Sequence, residues 1–245
     1  MKAPAKLNLA LVVGPLRDDG RHEVATLMTK LELADDITVE AAPATEITGF
    51  PEDTLVRRVL DELGTTARVH IEKRIPVAAG LGGGSSDAAA ALKLLAPDDA
   101  DLHAVAARLG SDVPFFLRDG PQLATGAGDE LCDVEVPLDF HVVLVLPAGA
   151  RKESTATVYA AFDNVDGFDE RRARVLATRD LAELPPNDLA SSPLAGELHA
   201  LGAFRADVTG AGPAVYGLFA DEADARAAAR ALEPRGRVWV TKPAW

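Results

Sequence analysis

Apolar and polar residues alternate from Ala3 to Val13, with Leu7, Leu9, Leu11 and Val13 on one face and Lys6, Asn8 and Ala10 on the other, which predicts a strand. Arg17-Asp-Asp-Gly20 reads as a turn into a second strand over 21–33, with Leu27, Leu31 and Leu33 inward. Residues 37–41 and 46–50 read as a hairpin. From Asp53 to Leu63 the period lengthens: Leu55, Val56, Val59, Leu60 and Leu63 share one face, as in an amphipathic helix. A β-patterned run follows from Ala67 to Ile75. Helices are expected over 87–95 and 101–109, the latter closed by Gly110 as C-cap, and a buried strand over Val113–Leu117. The most apolar strand is Phe140–Leu146, followed by a helix from Lys152 to Phe162 and a charged helix-loop stretch over 163–180. Residues 207–219 read as strand, glycine turn and strand, and the chain closes with a helix over 222–232 and a strand over 237–241. Strands and helices mix without regular βαβ alternation, so the expected class is α+β. Pro137, with Pro147-Ala-Gly beyond the apolar strand, suggests two lobes, 1–137 and 138–245.

One stretch breaks the pattern. Between the run ending at Ile75 and the alanine-rich helix lie four glycines in five residues, Gly80, Gly82, Gly83 and Gly84, with Leu81 among them and Ser85, Ser86 and Asp87 after them. Glycine permits positive φ and close approach of the backbone to a ligand. A helix N-terminus presents unpaired N–H groups that favour anions. The direct reading is a phosphate cradle; the plain one is a flexible connector with Ser85 or Ser86 as N-cap. No Gly-Lys-Ser/Thr follows, so it is not a Walker A loop. A Rossmann fingerprint would need a third glycine in register and an acid at a strand end, whereas Asp98, Asp99 and Asp101 lie in a solvent-facing turn.

Composition narrows the partners. The 25 basic and 38 acidic residues give a formal charge of −13, which argues against nucleic acid or an anionic membrane surface. Cys132 is the single cysteine, so no intrachain disulfide framework exists; it reads as a half-buried structural thiol, and a reducing, cytoplasmic setting is expected. The first apolar run is too short for a signal peptide and no run is long enough to span a membrane.

Taken singly, the other polar candidates are ambiguous. Lys6 and Asn8 on one strand face, and His22 beside a turn, could all be solvated surface. Tyr159 could simply pack, and Thr125-Gly-Ala-Gly128 reads as a structural turn. Asp112, at the mouth of the apolar segment 113–117, is either a turn residue or a carboxylate held for acid–base work.

Pro76-x-x-x-Gly80-Leu-Gly-Gly-Gly-Ser-Ser86 resembles the nucleotide loop of the GHMP kinase superfamily, and the form ending in Asp87 is most similar to that of the 4-diphosphocytidyl-2-C-methyl-D-erythritol kinases. Ala3-Pro-Ala-Lys6-Leu-Asn8, Asp19-Gly20-x-His22, Gly110-x-Asp112-Val-Pro and Thr209-Gly210-x-Gly212 resemble the family's other motifs, in order along the chain. The resemblance implies a GHMP kinase fold with a ribosomal-protein-S5-like N-terminal lobe and a ferredoxin-like C-terminal lobe. It implies ATP-dependent phosphorylation of a hydroxyl of 4-diphosphocytidyl-2-C-methyl-D-erythritol to its 2-phosphate, in the non-mevalonate isoprenoid precursor pathway, with ATP and Mg2+. Carried over residue by residue, Asp112 is the general base with Lys6 beside it, and Gly80, Leu81, Gly82, Gly83, Gly84, Ser85, Ser86 and Asp87 bind ATP. Ser85 or Ser86 lies near magnesium. Asn8, His22, Thr155, Tyr159, Gly210 and Gly212 bind the cytidine diphosphate-linked substrate, and Asn187-Asp-Leu matches an asparagine-rich helix start. The enzyme would act as a monomer or homodimer. The chain departs from the family at Arg21, where an aromatic residue usually precedes the histidine, and at Thr54, where asparagine is common. The alternatives are another GHMP-type alcohol kinase, acting on a homoserine- or mevalonate-like substrate, and a non-catalytic nucleotide-binding relative.

Overall fold

The computed structural model describes residues 1–98, 100–150 and 154–244, so Asp99 and Lys152 of the sequence reading lie outside the described residues. The chain divides into two compact units, each discontinuous in sequence: residues 1–6, 33–77 and 82–119 form the first, and 7–32, 78–81 and 120–245 the second.

Two long strands, β1 (Lys2–Leu16) and β2 (His22–Ala41), contribute to both units. In the first unit the end of β2 pairs antiparallel with β4 (Ala67–Glu72), and β4 pairs parallel with β3 (Glu46–Thr48). Helix α1 (Thr54–Leu63) buries Val56, Val59 and Leu60, the face that its period specified, and Asp53 caps it by accepting from the Val56 amide at 2.8 Å. Helix α1 packs on α2 (Gly83–Leu95), which also meets α3 (Leu102–Leu109) and α4 (Val113–Leu117).

Three expectations are corrected here. Residues 37–41 and 46–50 form no hairpin, because β4 pairs with both segments and separates them. Strand β2 runs unbroken through Asp35, a fully buried residue whose carboxylate accepts from the Arg74 amide (2.5 Å), the Ile75 amide (2.8 Å) and the Lys73 ammonium (2.6 Å). Residues 34–36, left between the two strands expected at 21–33 and 37–41, thus belong to one strand, and its buried acid is satisfied by partners about forty residues away. Residues 113–117 are a helix rather than a strand: Pro114 sits in its first turn, where no N–H is needed. A five-residue apolar run carries no period to tell the two apart.

In the second unit, β2 pairs with β5 (Gln122–Thr125), and β5 with β6 (Glu130–Asp133) across the 125–130 turn. Cys132 is exposed on β6, not half-buried as its alternating run suggested. Strand β7 (His141–Pro147) leads to α5 (Thr155–Ala160), α6 (Phe168–Ala177) and α7 (Pro193–Ala200). Strands β8 (Arg205–Val208) and β9 (Val215–Phe219), helix α8 (Glu222–Leu232) and strand β10 (Gly236–Thr241) follow, and β11 (Pro243–Ala244) pairs back on β2. The order β10-β7-β9-β8, antiparallel throughout, is the βαββαβ arrangement of a ferredoxin-like lobe. Val143, Val145, Val215 and Phe219 of this sheet pack against Leu194 and Leu198 of α7 and Ala225, Ala228 and Leu232 of α8. Among the described residues no helix is long and apolar enough to cross a membrane.

Asp35→Ala removes the acceptor for two backbone amides and a buried ammonium. It is expected to lower unfolding free energy by about 3–5 kcal/mol, and Asp35→Asn, which keeps an acceptor oxygen, by less. Urea unfolding followed by circular dichroism measures both.

Candidate active site

The glycine loop enters α2 with Gly82 as N-cap at φ +68°, and no side chain caps the helix. The first helical bond runs from the Ser86 amide to the Gly82 carbonyl at 2.9 Å, so the amides of Gly83, Gly84 and Ser85 have no intrahelical acceptor. All three residues are partly exposed. By contrast, α1, α3, α5, α7 and α8 each carry a side-chain cap, from Asp53, Asp101, Ser154, Ser192 and Asp221. Ser85 and Ser86 lie inside the helix, so neither is the N-cap that the plain reading allowed. The Ser86 Oγ and the Asp87 Oδ1 are buried with no hydrogen-bond partner.

Lys6 and Asp112 come together in the same unit. The Lys6 ammonium lies 3.7 Å from the Asp112 carboxylate; the lysine side chain is 7% exposed and the aspartate 41%. Asp112 occupies the N-cap position of α4 yet makes no capping bond, which leaves its carboxylate for other work. A Cβ on Gly82 would stand 2.7 Å from the Lys6 Cγ and 3.0 Å from Phe116. The lysine is therefore seated between a glycine of the loop and Asp112. The solvated reading of Lys6 and Asn8 does not hold, since both faces of β1 are covered there: Lys6 is 6% and Asn8 4% exposed.

The remaining candidates lie in the second unit. The Asn8 Nδ2 donates to Thr26 Oγ1 (2.8 Å), which in turn donates to the Ala10 carbonyl (2.6 Å), and the Asn8 amide donates to Thr209 Oγ1 (3.0 Å). Thr209 begins the turn that carries Gly210 (φ +58°) and Gly212 (φ +73°). Asn187 stands in a loop, not at a helix start, because Pro193 opens α7 six residues later. Its side chain instead donates to the Val208 and Gly210 carbonyls at 2.9 and 2.7 Å and so fixes that turn. The Asn187 amide donates to Asp207 Oδ2 at 2.8 Å; burial pushes the Asp207 carboxyl above its ordinary value, against this bond, the Val208 amide and Arg205. Gly80 belongs to the same arrangement: a Cβ there would meet the Thr209 carbonyl at 2.5 Å, and the Ala214 amide donates to the Ala79 carbonyl. Leu81 is buried.

His22 Nδ1 lies 2.8 Å from the Gly14 carbonyl. A carbonyl only accepts, so Nδ1 carries the proton and a neutral ring leaves Nε2 as the acceptor. Tyr159 lies 6.2 Å from the His22 ring and tilted to it, and Phe162 lies edge-on at 5.9 Å. Phe162 was missed in the sequence; it lies just past the end of α5, where its amide donates to the Tyr159 carbonyl at 3.1 Å and the turn brings both rings to His22. Thr155 is exposed at the first turn of α5. Arg21 is held by Asp19 (3.0 Å) and Asp129 (3.2 Å), edge contacts that leave the flat faces of the guanidinium unengaged by these carboxylates. A cavity of about 600 Å³ is lined by Val158, Phe162, Asn164, Asp188, Ala211 and Pro213.

Comparison with known proteins bears on the family and the fold. GHMP kinases N terminal domain matches residues 53–120 and GHMP kinases C terminal matches 190–237. The chain is 40% identical to 4-diphosphocytidyl-2-C-methyl-D-erythritol kinase of Anaeromyxobacter sp. (strain K), over 96% of this chain and 85% of that one. It superposes on a crystal structure of 4-(cytidine 5'-diphospho)-2C-methyl-D-erythritol kinase with a TM-score of 0.82 and 34% identity, covering 100% of this chain and 99% of the other. The mevalonate kinase of Methanococcus jannaschii, at a TM-score of 0.71 and 14% identity over 100% and 98%, shares the fold.

The glycines allow a direct comparison. Gly20, at φ +78° with open space where a Cβ would stand, is expected to lose about 1–2 kcal/mol as Gly20→Ala, from backbone conformation alone. Gly82→Ala adds the contacts with Lys6 and Phe116 and is expected to lose about 2–5 kcal/mol. Urea unfolding of the two variants side by side measures the difference.

Proposed function

The chain belongs to the 4-diphosphocytidyl-2-C-methyl-D-erythritol kinases, within the GHMP kinases, and from this premise we propose that it transfers the γ-phosphoryl group of ATP to the 2-hydroxyl of 4-diphosphocytidyl-2-C-methyl-D-erythritol. The observation that carries the assignment of roles is the seat of Lys6, against Gly82 of an uncapped helix start on one side and 3.7 Å from Asp112 on the other. Phosphoryl transfer asks for placement and charge neutralisation more than covalent chemistry. The amides of Gly83, Gly84 and Ser85 bind phosphate oxygens. Asp112 accepts the proton of the attacking hydroxyl, that oxygen bonds to the γ-phosphorus, and ADP leaves with the electrons of the broken P–O bond. Lys6 offsets the negative charge gathered between phosphate and carboxylate.

Magnesium fits as a phosphate-borne ion: the Ser86 Oγ is buried without a partner, and Ser85 is half-buried beside it at the helix start. Mg2+ takes few protein ligands besides substrate phosphates and water. When bound it neutralises phosphate charge. The cytidine diphosphate-linked end of the acceptor is assigned to the second unit. Tyr159 offers a stacking face and His22 Nε2 an acceptor for an exocyclic amine, while Asn8, Thr155, Gly210 and Gly212 meet the rest. The proposed lobes 1–137 and 138–245 leave one family match on each side, while the compact units divide the chain after residue 119. The proposal sets the enzyme in the cytoplasm, on its single cysteine and acidic composition.

Steady-state kinetics tests the roles. Asp112→Asn is expected to lower turnover by about 10²–10⁴-fold with the KM for ATP little changed, and a loss of less than about tenfold contradicts a general base. Tyr159→Ala is expected to raise the KM for the acceptor by about tenfold or more, the worth of one stacked base, and to leave the KM for ATP unaltered.

A further inference from the structure

Beneath the first turn of α2 three elements bring charges together inside the first unit. Asp35 of β2 and Asp87 of α2 are both fully buried, and Asp53, the cap of α1, is 6% exposed. Set among them is Lys73, whose ammonium donates to Asp35 at 2.6 Å and to Asp87 at 2.5 Å and lies 5.6 Å over the Phe50 ring. A Cβ on Gly83 would stand 3.1 Å from that ammonium, so the lysine packs closely against the first turn of α2. Burial opposes the charge on Lys73, but Asp87 and Asp35 outweigh it and hold the ammonium above its ordinary pKa. Burial pushes the Asp87 carboxyl well above the usual carboxylate range, with Asp35 and Asp53 adding to the rise and Lys73 opposing it.

The family resemblance counts Asp87 with the ATP loop, yet its side chain is fully buried on Lys73, and no side chain of the cluster takes a step in the transfer proposed above. Carboxylates repel a polyanion, and Asp87 lies two residues beyond Ser85, the last residue whose amide is assigned to phosphate. We infer that Lys73 is a positioning residue for nucleotide binding: by pairing Asp35 and Asp87 it fixes the first turn of α2 to β2 and screens that turn from buried negative charge. The inference rests on the glycine loop being the ATP site. Through Asp35, which also accepts from the Arg74 and Ile75 amides, the same lysine anchors the stretch that leads into the loop. Without the ammonium, Asp35 and Asp87 lose the cation they share, and whatever negative charge the pair keeps stands uncompensated below the phosphate-binding amides. One uncompensated charge at such a distance is worth about a 10- to 100-fold change in affinity for an anion.

The test is calorimetric titration of the full chain with ATP, and separately with 4-diphosphocytidyl-2-C-methyl-D-erythritol, for the wild type, Lys73→Met and the double variant Lys73→Met/Asp87→Asn. Lys73→Met is expected to weaken ATP binding by about 10- to 100-fold and to leave acceptor affinity unchanged. The double variant, neutral at both positions, is expected to recover most of that loss, and it serves equally should Lys73→Met alone fold poorly. A Lys73→Met chain that binds ATP like the wild type overturns the inference. So does a double variant that binds no better than the single one, or a parallel loss of both ligands, which marks a general packing role. A wild type that takes up the acceptor but no ATP overturns the loop assignment and the inference with it, and it is recognised before any variant is made.

Discussion

A helix start without a side-chain cap leaves its first amides in need of an acceptor, and at α2 the three residues concerned are glycine, glycine and serine. Everything in the first unit is arranged around that need. Gly82 turns the chain at positive φ and, lacking a Cβ, admits Lys6. Lys6 in turn meets Asp112, an N-cap aspartate that leaves its own helix uncapped. Lys93 of α2 donates to the Phe116 carbonyl at 3.0 Å, tying the helix that offers the amides to the helix that offers the carboxylate. Lys6 and Asp112 are thus set beside the packing that buries Val113, Phe115 and Phe116.

The second unit is held by polar groups as much as by its apolar core. Arg205 donates to the Leu184 and Pro185 carbonyls and to the Tyr216 hydroxyl, and Tyr216 donates to the Leu9 carbonyl at 3.0 Å. Burial pushes the Tyr216 hydroxyl up to about 12, which keeps it a donor at any working pH. Leu9 follows Asn8, and Asn8 is bonded to Thr26 and Thr209. A buried network of this kind is sensitive to any unmatched partner, because an unsatisfied buried group loses its water without replacement. The turn carrying Gly210 and Gly212 is held from two sides, by Asn187 and by the Ala79–Gly80 backbone.

What the sequence made legible was local. The 3.6-residue period of α1, the helix over 222–232 and the Gly110 cap of α3 depend on neighbours within a few residues and stand where they were expected, whereas α2 begins at Gly83, four residues before its expected start, and takes in two of the loop glycines. The misread segments depend on distant partners. The strand expected to end at residue 33 continues through Asp35, whose bonds come from Lys73, Arg74 and Ile75, and residues 46–48 pair with β4 rather than with their sequence neighbours. Val113–Leu117 is too short to show a period. Lys6, Asn8, His22 and Asp112 were picked out by resemblance, since periodicity alone allowed a solvated face for the first two. Lys73 and Phe162 carry no motif of their own; their partners lie across the fold, and only the folded chain identifies them.

The central claim is that this chain phosphorylates one particular alcohol. ADP release should be followed with Mg-ATP alone and with 4-diphosphocytidyl-2-C-methyl-D-erythritol, homoserine or mevalonate at equal concentrations. Stimulation by the first compound, and none by the other two, is the predicted result. Greater stimulation by homoserine or mevalonate, or no stimulation by any of the three, would contradict it.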